Sequence, residues 1–151
     1  MSTPSQIVPG LYVGNINTAQ DTSFFVTNKI RLVINCTTYV PNHFETQGVK
    51  YYRISVDDSS STQDNSIMAR HIPLVTSLID ASLKKNENVL VHCVAGVSRS
   101  CTVAAAFMRT CCASNVYQAI SMVIAKRPIA FYGGSRVNFE TALLSVFSKW
   151  M

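Results

Sequence analysis

The middle of the chain pairs a short apolar strand pattern with a strongly apolar helix pattern. Residues 87–93, ENVLVHC, are predicted to form a central strand, and residues 99–112, RSCTVAAAFMRTCC, a helix that is apolar on nearly all sides. A helix of this kind is expected to lie buried in the middle of a domain. A buried strand joined to a buried helix by only a few residues is typical of an α/β architecture.

Strand and helix patterns alternate through the rest of the chain. Strands are predicted at 10–15, 31–36 and 49–56, a polar loop at 57–66, and helices at 18–29, 67–84, from Asn115 and from about Ser135. Because proline disrupts a helix interior, the regular part of helix 67–84 is expected to begin close to Pro73. The last helix carries an apolar stripe of Phe139, Leu143, Val146 and Trp150. Together these patterns predict a mostly parallel sheet of four to five strands flanked by helices.

Composition limits the classes of function. The chain has 151 residues, 48% of them hydrophobic and 14% charged, with no internal repeat, so a single folded domain is expected over residues 1–151. It shows no leader pattern and no apolar run long enough for a bilayer, which predicts a soluble protein of the cytoplasm with access to the nucleus. The net charge of +5 is unclustered, which argues against nucleic acid and suits an anionic substrate. The five cysteines lack metal-ligand spacing and are expected to be reduced thiols, with no metal bound.

The stretch VHCVAGVSRS, residues 91–100, has the features of an anion-binding loop. A short turn at the start of a helix leaves backbone N–H groups unpaired at the positive end of the helix dipole. Gly96 allows close approach or positive φ, and the planar guanidinium of Arg99 can hold two oxygens of a phosphoryl group. The residues expected to bind the anion are Val94, Ala95, Gly96, Val97, Ser98 and Arg99.

Cys93, at the base of this loop, is the candidate nucleophile. A thiol beside a helix N-terminus and a cation loses its proton readily, so we expect a thiolate at neutral pH. A phosphate cradle with a nucleophile at its base indicates phosphoryl transfer through a cysteinyl-phosphate. Ser100 is expected to hydrogen-bond the sulfur and help it leave, and His92 is expected to shape the loop rather than act as a base.

The departing oxygen of a phosphate ester needs a proton, so a carboxylic acid must reach the loop from elsewhere. The polar loop 57–66 supplies Asp57, Asp58 and Asp64 as candidates. The residues alone leave these three alternatives open.

Residues 92–100 follow the pattern H-C-x₂-G-x₂-R-S, which is similar to the signature of the cysteine-dependent protein phosphatases. The longer stretch VLVHCVAGVSRS resembles their dual-specificity branch, as do IVPGLYVGNINTA, IRLVINCTT, YYRISVDD and AKRP. The resemblance implies a protein-tyrosine-phosphatase-like fold, no cofactor, and hydrolysis of phosphotyrosine and phosphoserine or phosphothreonine in phosphorylated protein substrates. It also implies that the acid of the V-x-D stretch is Asp58, with Asp57 as the alternative.

Two other functions remain open beside a protein phosphatase. One is a phosphatase of a phosphoinositide, a nucleotide or an RNA end, but Val94, Ala95 and Val97 give the loop a neutral interior that suits such charged groups poorly. The other is a phosphoprotein-binding module with little turnover. Modules of that kind typically lose the cysteine or the arginine, and this chain keeps Cys93 and Arg99.

Two residues outside the loop carry further hypotheses. Some relatives place a cysteine at the end of the strand equivalent to 31–36, so Cys36 is a candidate for a reversible disulfide with Cys93; the alternative is a small buried strand residue. Arg127 is a candidate contact for a second phosphate or an acidic flank of the substrate; the alternative is a structural role ahead of Pro128. Gly133 and Gly134 are predicted to form a turn into the last helix.

Overall fold

Five short strands form one sheet in the computed structural model, which describes residues 3–148 of the chain. In chain order they are β1 (Ser5–Val8), β2 (Leu11–Gly14), β3 (Ile30–Asn35), β4 (Lys50–Arg53) and β5 (Asn88–His92). Their order across the sheet is β1-β2-β5-β3-β4, with β1 antiparallel to β2 and every other pair parallel. The expected α/β class with a mostly parallel sheet is therefore confirmed.

Helices cover both faces of the sheet. They are α1 (Thr22–Thr27), α2 (Thr62–Lys84), α3 (Arg99–Cys111), α4 (Val116–Lys126) and α5 (Glu140–Phe147). Neighbouring strand residues point to opposite faces, so Val89 and Val91 of β5 pack in the large core with α2 and α3, while Leu90 packs in a smaller cluster with Phe25 of α1. The predicted burial of helix 99–112 is confirmed, since its residues 99–108 are all buried.

The first turn of α2 corrects the predicted loop at 57–66. The helix begins at Thr62, because the Ser61 hydroxyl accepts a hydrogen bond from Asp64 N at 3.1 Å and caps it. Pro73 lies inside the helix instead of near its start. Burial of Met68 and Ile72 before the proline, and of Val75 and Ile79 after it, keeps both halves against the core.

The last helix also begins later than predicted. It starts at Glu140, and the Ser135 hydroxyl donates to Tyr132 O instead of capping a helix. The preceding residues Ala130–Gly134 form a tight 3₁₀ turn with left-handed residues inside it. Phe139 and Leu143 of the predicted stripe are buried as expected, Val146 is partly buried, and Trp150 lies outside the described residues.

The topology places the candidate site at the carboxyl end of the central strand. β5 lies between β2 and β3, and the loop that follows it leads directly into the buried helix α3. Ligands of open parallel sheets bind at this edge, where the connections from neighbouring strands diverge. Within residues 3–148, no helix is both long and apolar enough to cross a bilayer.

Candidate active site

Residues 93–99, which we call the anion loop, turn their carbonyl groups outward. Three of these carbonyls accept hydrogen bonds from distant parts of the chain. The pairs are Ile16 N to Val94 O at 2.9 Å, Arg127 Nε to Gly96 O at 2.7 Å, and Phe131 N to Val97 O at 2.7 Å. Because each carbonyl is held from outside, the N–H groups between them face the interior of the loop.

These inward N–H groups have the arrangement that the sequence prediction of an anion nest requires. Within residues 3–148, the backbone N–H groups of residues 94–98 donate to no protein acceptor. They lie just before the N-terminus of α3, where the helix dipole is positive. The arrangement favours an anion at the centre of the loop, over the Cys93 side chain.

Cys93 and Ser100 are brought together as predicted. Both are buried, and Cys93 Sγ lies 3.2 Å from Ser100 Oγ. A hydroxyl can donate a hydrogen bond, so Ser100 can stabilise a negatively charged sulfur on Cys93. The pair has the geometry of a nucleophile with a hydrogen-bond donor at its side.

Arg99 begins α3 and is 9% exposed. Its Nη1 donates to Val56 O at 3.1 Å, which ties the guanidinium to the segment after β4, just before Asp57 and Asp58. Its Nε is buried and has no hydrogen-bond partner among the described residues. An unsatisfied guanidinium N–H beside an anion nest is an unused donor for a phosphoryl oxygen.

Gly96 and Arg127 show why the loop has its shape. Gly96 has φ of +70°, and a Cβ there would lie 2.6 Å from Arg127 Nη2 and 2.9 Å from Gly14 O. Arg127 is only 2% exposed, and its Nη1 donates to Thr3 O and Ser5 Oγ at 2.7 and 2.9 Å. Arg127 thus supports the loop from behind. Because its side chain is buried, Arg127 is poorly placed to contact a second phosphate of the substrate.

His92 ends β5 and also faces the interior. Its Nδ1 lies 3.3 Å from Cys93 O, so this nitrogen carries the proton that is shared with the carbonyl. Burial, above all, lowers the pKa of His92 to about 4, and the charges of His43, Arg53 and Arg99 act in the same direction. A neutral imidazole that donates to the Cys93 carbonyl fits the predicted role of shaping the loop.

The three candidate acids occupy different positions. Asp57 is exposed, and its backbone N–H donates to Asp64 Oδ1 at 3.4 Å; the other Asp64 oxygen accepts from Ser61 at the start of α2. Asp58 is exposed as well, but of the three carboxylates only that of Asp58 turns toward the anion loop, where it accepts from Tyr132 OH at 2.7 Å and from Asn138 Nδ2 at 2.8 Å.

The environment of Asp58 favours its ionised form. Partial desolvation raises the pKa of this carboxyl, but the donors Ser98, Asn138 and Tyr132, together with the charge of Arg99, outweigh it and lower the pKa overall. Tyr132 and Asn138 hold the carboxylate through hydrogen bonds of good geometry, whereas the Ser98 hydroxyl lies near it without such a bond.

Cys36 lies beside the nucleophile. The parallel register pairs Asn35 of β3 with His92 of β5, so Cys36 and Cys93 follow side by side at the end of these strands, and Cys36 N donates to His92 O at 2.8 Å. Neighbouring strands are about 4.8 Å apart. Cys36 is fully buried, and burial followed by the nearby Cys93 raises its pKa well above the ordinary value. All five cysteines are free thiols.

Two residues of the site have no counterpart in the sequence prediction, Tyr132 and Asn138. Both bind Asp58, from positions 74 and 80 residues further along the chain. No local pattern marks them, because their role depends on how the turn before α5 folds back over the site.

Within residues 3–148, no three His, Cys, Asp or Glu side chains lie together as metal ligands.

A buried cysteine under inward-facing amides, with an arginine at the start of the next helix, defines the class of cysteine-dependent phosphatases. The model of the family described as dual specificity phosphatase, catalytic domain, matches residues 11–144. The chain therefore belongs to this family.

Individual relatives agree with this assignment. The chain is 33% identical to human dual specificity protein phosphatase 9 over 94% of its own length and 37% of that protein. It is 35% identical to the Drosophila melanogaster dual specificity protein phosphatase Mpk3 over 83% of its own length and 30% of that protein. The chain thus spans about a third of each of these two relatives.

A solved structure shares the fold. The crystal structure of human DUSP28 superimposes with a TM-score of 0.84 at 21% identity, covering 99% of this chain and 95% of that one. At this identity the similarity concerns the fold, and it confirms the expected protein-tyrosine-phosphatase-like architecture.

Proposed function

We propose that this chain is a protein phosphatase that hydrolyses phosphotyrosine and phosphoserine or phosphothreonine through a cysteinyl-phosphate. The observation that carries the proposal is the unused donor set above Cys93, namely the inward N–H groups of residues 94–98 and the unpaired Arg99 Nε. Such donors bind the equatorial oxygens of a phosphoryl group and stabilise the charge that they carry in the transition state.

The first chemical step forms a bond between Cys93 Sγ and phosphorus and breaks the bond from phosphorus to the ester oxygen. The electron pair of the broken bond stays on the departing oxygen, which receives a proton from Asp58 in the protonated form of its carboxyl group. The now ionised Asp58 suits the second step, in which it takes a proton from an attacking water. Phosphate then forms as the P–S bond breaks, and the Ser100 hydroxyl at 3.2 Å stabilises the departing thiolate.

Phosphorylated proteins are the proposed substrates and partners. The interior residues Val94, Ala95 and Val97 add no positive charge to the loop, so the site is built for one phosphoryl group rather than for a highly charged head group. Two relatives that match most of the chain, from human and Drosophila melanogaster, are named as dual specificity protein phosphatases, in agreement with this choice. Five free cysteines fit a reducing compartment, and we assign the protein to the cytoplasm on that basis.

Supporting residues act through the loop. Arg127 and His92 bind the carbonyls of Gly96 and Cys93, respectively, and we assign both to positioning of the loop.

The strand register beside Cys93 makes Cys36 a suitable partner for a disulfide when an oxidant such as peroxide converts the Cys93 thiolate to a sulfenic acid. The Cys36 thiol then attacks that sulfur and releases water.

The test compares kcat/KM for a phosphotyrosine peptide, a phosphothreonine peptide and a phosphoinositide. The wild type should prefer the two peptides, with the rate unchanged by a chelator, and Cys93→Ser should bind phosphopeptide without turnover. Asp58→Asn should lose about 10²–10⁴ in kcat on the phosphothreonine peptide, while Asp57→Asn serves as the matched control. A higher rate on the phosphoinositide, or full activity of Cys93→Ser, would overturn the proposed function.

A further inference from the structure

Four consecutive residues before α5 have left-handed backbone conformations. Phe131, Tyr132, Gly133 and Gly134 have φ of 55°, 55°, 72° and 93°, and we call them the left-handed segment. Glycine adopts such angles freely, but a side chain with a Cβ is strained there by about 1–2 kcal/mol per residue. Strain of this kind persists only where the surrounding structure enforces it, and it is often found at functional sites.

Both halves of the candidate site enforce the left-handed segment. Phe131 is fully buried, and its N–H donates to Val97 O of the anion loop at 2.7 Å. The next residue, Tyr132, donates its hydroxyl to Asp58 Oδ2 at 2.7 Å. The segment therefore connects the phosphate-binding side of the site to the carboxylate on the opposite loop. Arg136 holds the Tyr132 ring from its other face, with the guanidinium carbon 4.0 Å from the ring centroid.

We propose that Tyr132 is a positioning residue that holds the Asp58 carboxylate beside the anion loop and sets the pH range in which Asp58 can donate a proton. The inference rests on the proposed function, since it assigns Asp58 a role in that reaction. Tyr132 acts through Asp58 and has no bond to make or break itself.

The sign of the effect follows from the chemistry of the hydrogen bond. A phenol that donates to a carboxylate stabilises the ionised form, which is the form unable to protonate a leaving group. Removal of the Tyr132 hydroxyl should therefore keep Asp58 protonated to higher pH. The direction agrees with the lowered pKa of Asp58, to which the Tyr132 and Asn138 bonds contribute.

Other groups around Asp58 remain in place when only the Tyr132 hydroxyl is removed. The polar and charged groups that face or adjoin it are Ser98 and Arg99 at the start of α3, Asn138 before α5, Arg136 behind the Tyr132 ring, and Asp57 and Asp64 on its own loop. Tyr132→Phe keeps the ring and its contact with Arg136, so it isolates the hydroxyl.

The chain offers a matched control. Tyr117 of α4 donates to Glu140 Oε2 of α5 at 2.6 Å, a second tyrosine–carboxylate pair that lies outside the candidate site. Tyr117→Phe removes the same kind of hydrogen bond without touching Asp58.

The experiment records the pH profile of kcat/KM on a phosphothreonine peptide, whose poor leaving group needs an acid, and on p-nitrophenyl phosphate, whose leaving group does not. For Tyr132→Phe the alkaline limb on the peptide should move to higher pH, so that kcat/KM at a fixed pH on that limb rises about two- to tenfold over the wild type. The limb should not move on p-nitrophenyl phosphate, in Tyr117→Phe, or when Tyr132→Phe is added to Asp58→Asn.

A titration of the Asp58 carboxyl carbon by NMR gives a readout that needs no activity. Its midpoint should rise in Tyr132→Phe and stay in place in Tyr117→Phe. An unchanged midpoint, or one that falls, overturns the inference about Tyr132. If the midpoint rises but the wild type hydrolyses no phosphopeptide, the proposed function fails while the Tyr132–Asp58 linkage stands.

Discussion

Gly96→Ala tests how tightly the anion loop is packed from behind. Alanine at φ of +70° costs about 1–2 kcal/mol from the left-handed backbone alone. Its Cβ would also lie 2.6 Å from Arg127 Nη2 and 2.9 Å from Gly14 O, and the backbone oxygen cannot rotate away. Overpacking of this kind adds about 1–3 kcal/mol, so we expect a loss of about 2–5 kcal/mol in the free energy of unfolding, or an equivalent displacement of the loop.

Urea denaturation and phosphopeptide kinetics measure the two outcomes. Gly48→Ala is the matched control, because Gly48 has φ of +87° but a Cβ there meets nothing within 4 Å. The control should lose only the backbone part of about 1–2 kcal/mol and keep its activity. We expect kcat/KM of Gly96→Ala to fall at least about tenfold, since small displacements of reacting groups are costly. Equal stability losses in the two variants, with full activity in both, would refute the packing of the loop against Arg127 and Gly14.

Three further predictions concern single residues of the site. Arg99→Lys should lose most of kcat/KM, because an ammonium lacks the planar pair of donors; steady-state kinetics checks this, and a near-normal rate would contradict it. Mild peroxide should link Cys36 to Cys93, and mass spectrometry should find irreversible oxidation of Cys93 increased in Cys36→Ser; an oxidised wild type without this disulfide would exclude the pairing. The pKa of His92 in the folded chain, about 4, lies below the unfolded value of about 6.5, so its stabilising contribution is complete above pH 6.5 and lost as the pH falls toward 4. Urea titrations should show the loss, up to roughly 3 kcal/mol, and its disappearance in His92→Gln; equal pH dependence in both would contradict the assignment.

Local patterns predict the elements that carry their own signals. The strand 87–93 and the helix 99–112 are recognisable because each has an uninterrupted apolar run at its centre, residues 89–91 and 103–108. Asn115 caps α4 by accepting from Gln118 N at 2.9 Å. The start of α2 had a signal as well, since Ser61 precedes Asp64 by three residues in the manner of a capping pair. Because residues 57–66 are all polar, the sequence predicts a loop over this whole stretch, although α2 already begins at Thr62.

Other features depend on contacts between distant parts of the chain. β1 is a short edge strand that is defined mainly by its pairing with β2. The left-handed angles of Phe131 and Tyr132 oppose the preference of both residues, so no sequence pattern indicates them. The choice of Asp58 over Asp57 needed the family resemblance at the level of sequence, and the hydrogen bonds from Tyr132 and Asn138 now give it a physical basis.

The anchoring of the anion loop explains why its motif alone does not make the site. The nest faces inward only because its carbonyls are held outward by Ile16 after β2, by Arg127 after α4 and by Phe131 before α5. These anchors lie outside the motif, and each replaces a bond that water would otherwise make to the loop. A cradle held in this way needs no reorganisation when a phosphoryl group enters, which is the condition under which fixed amides stabilise a transition state most strongly. Because the anchors fix the donors rather than touch the reacting atoms, loosening any one of them should weaken phosphate binding and turnover together.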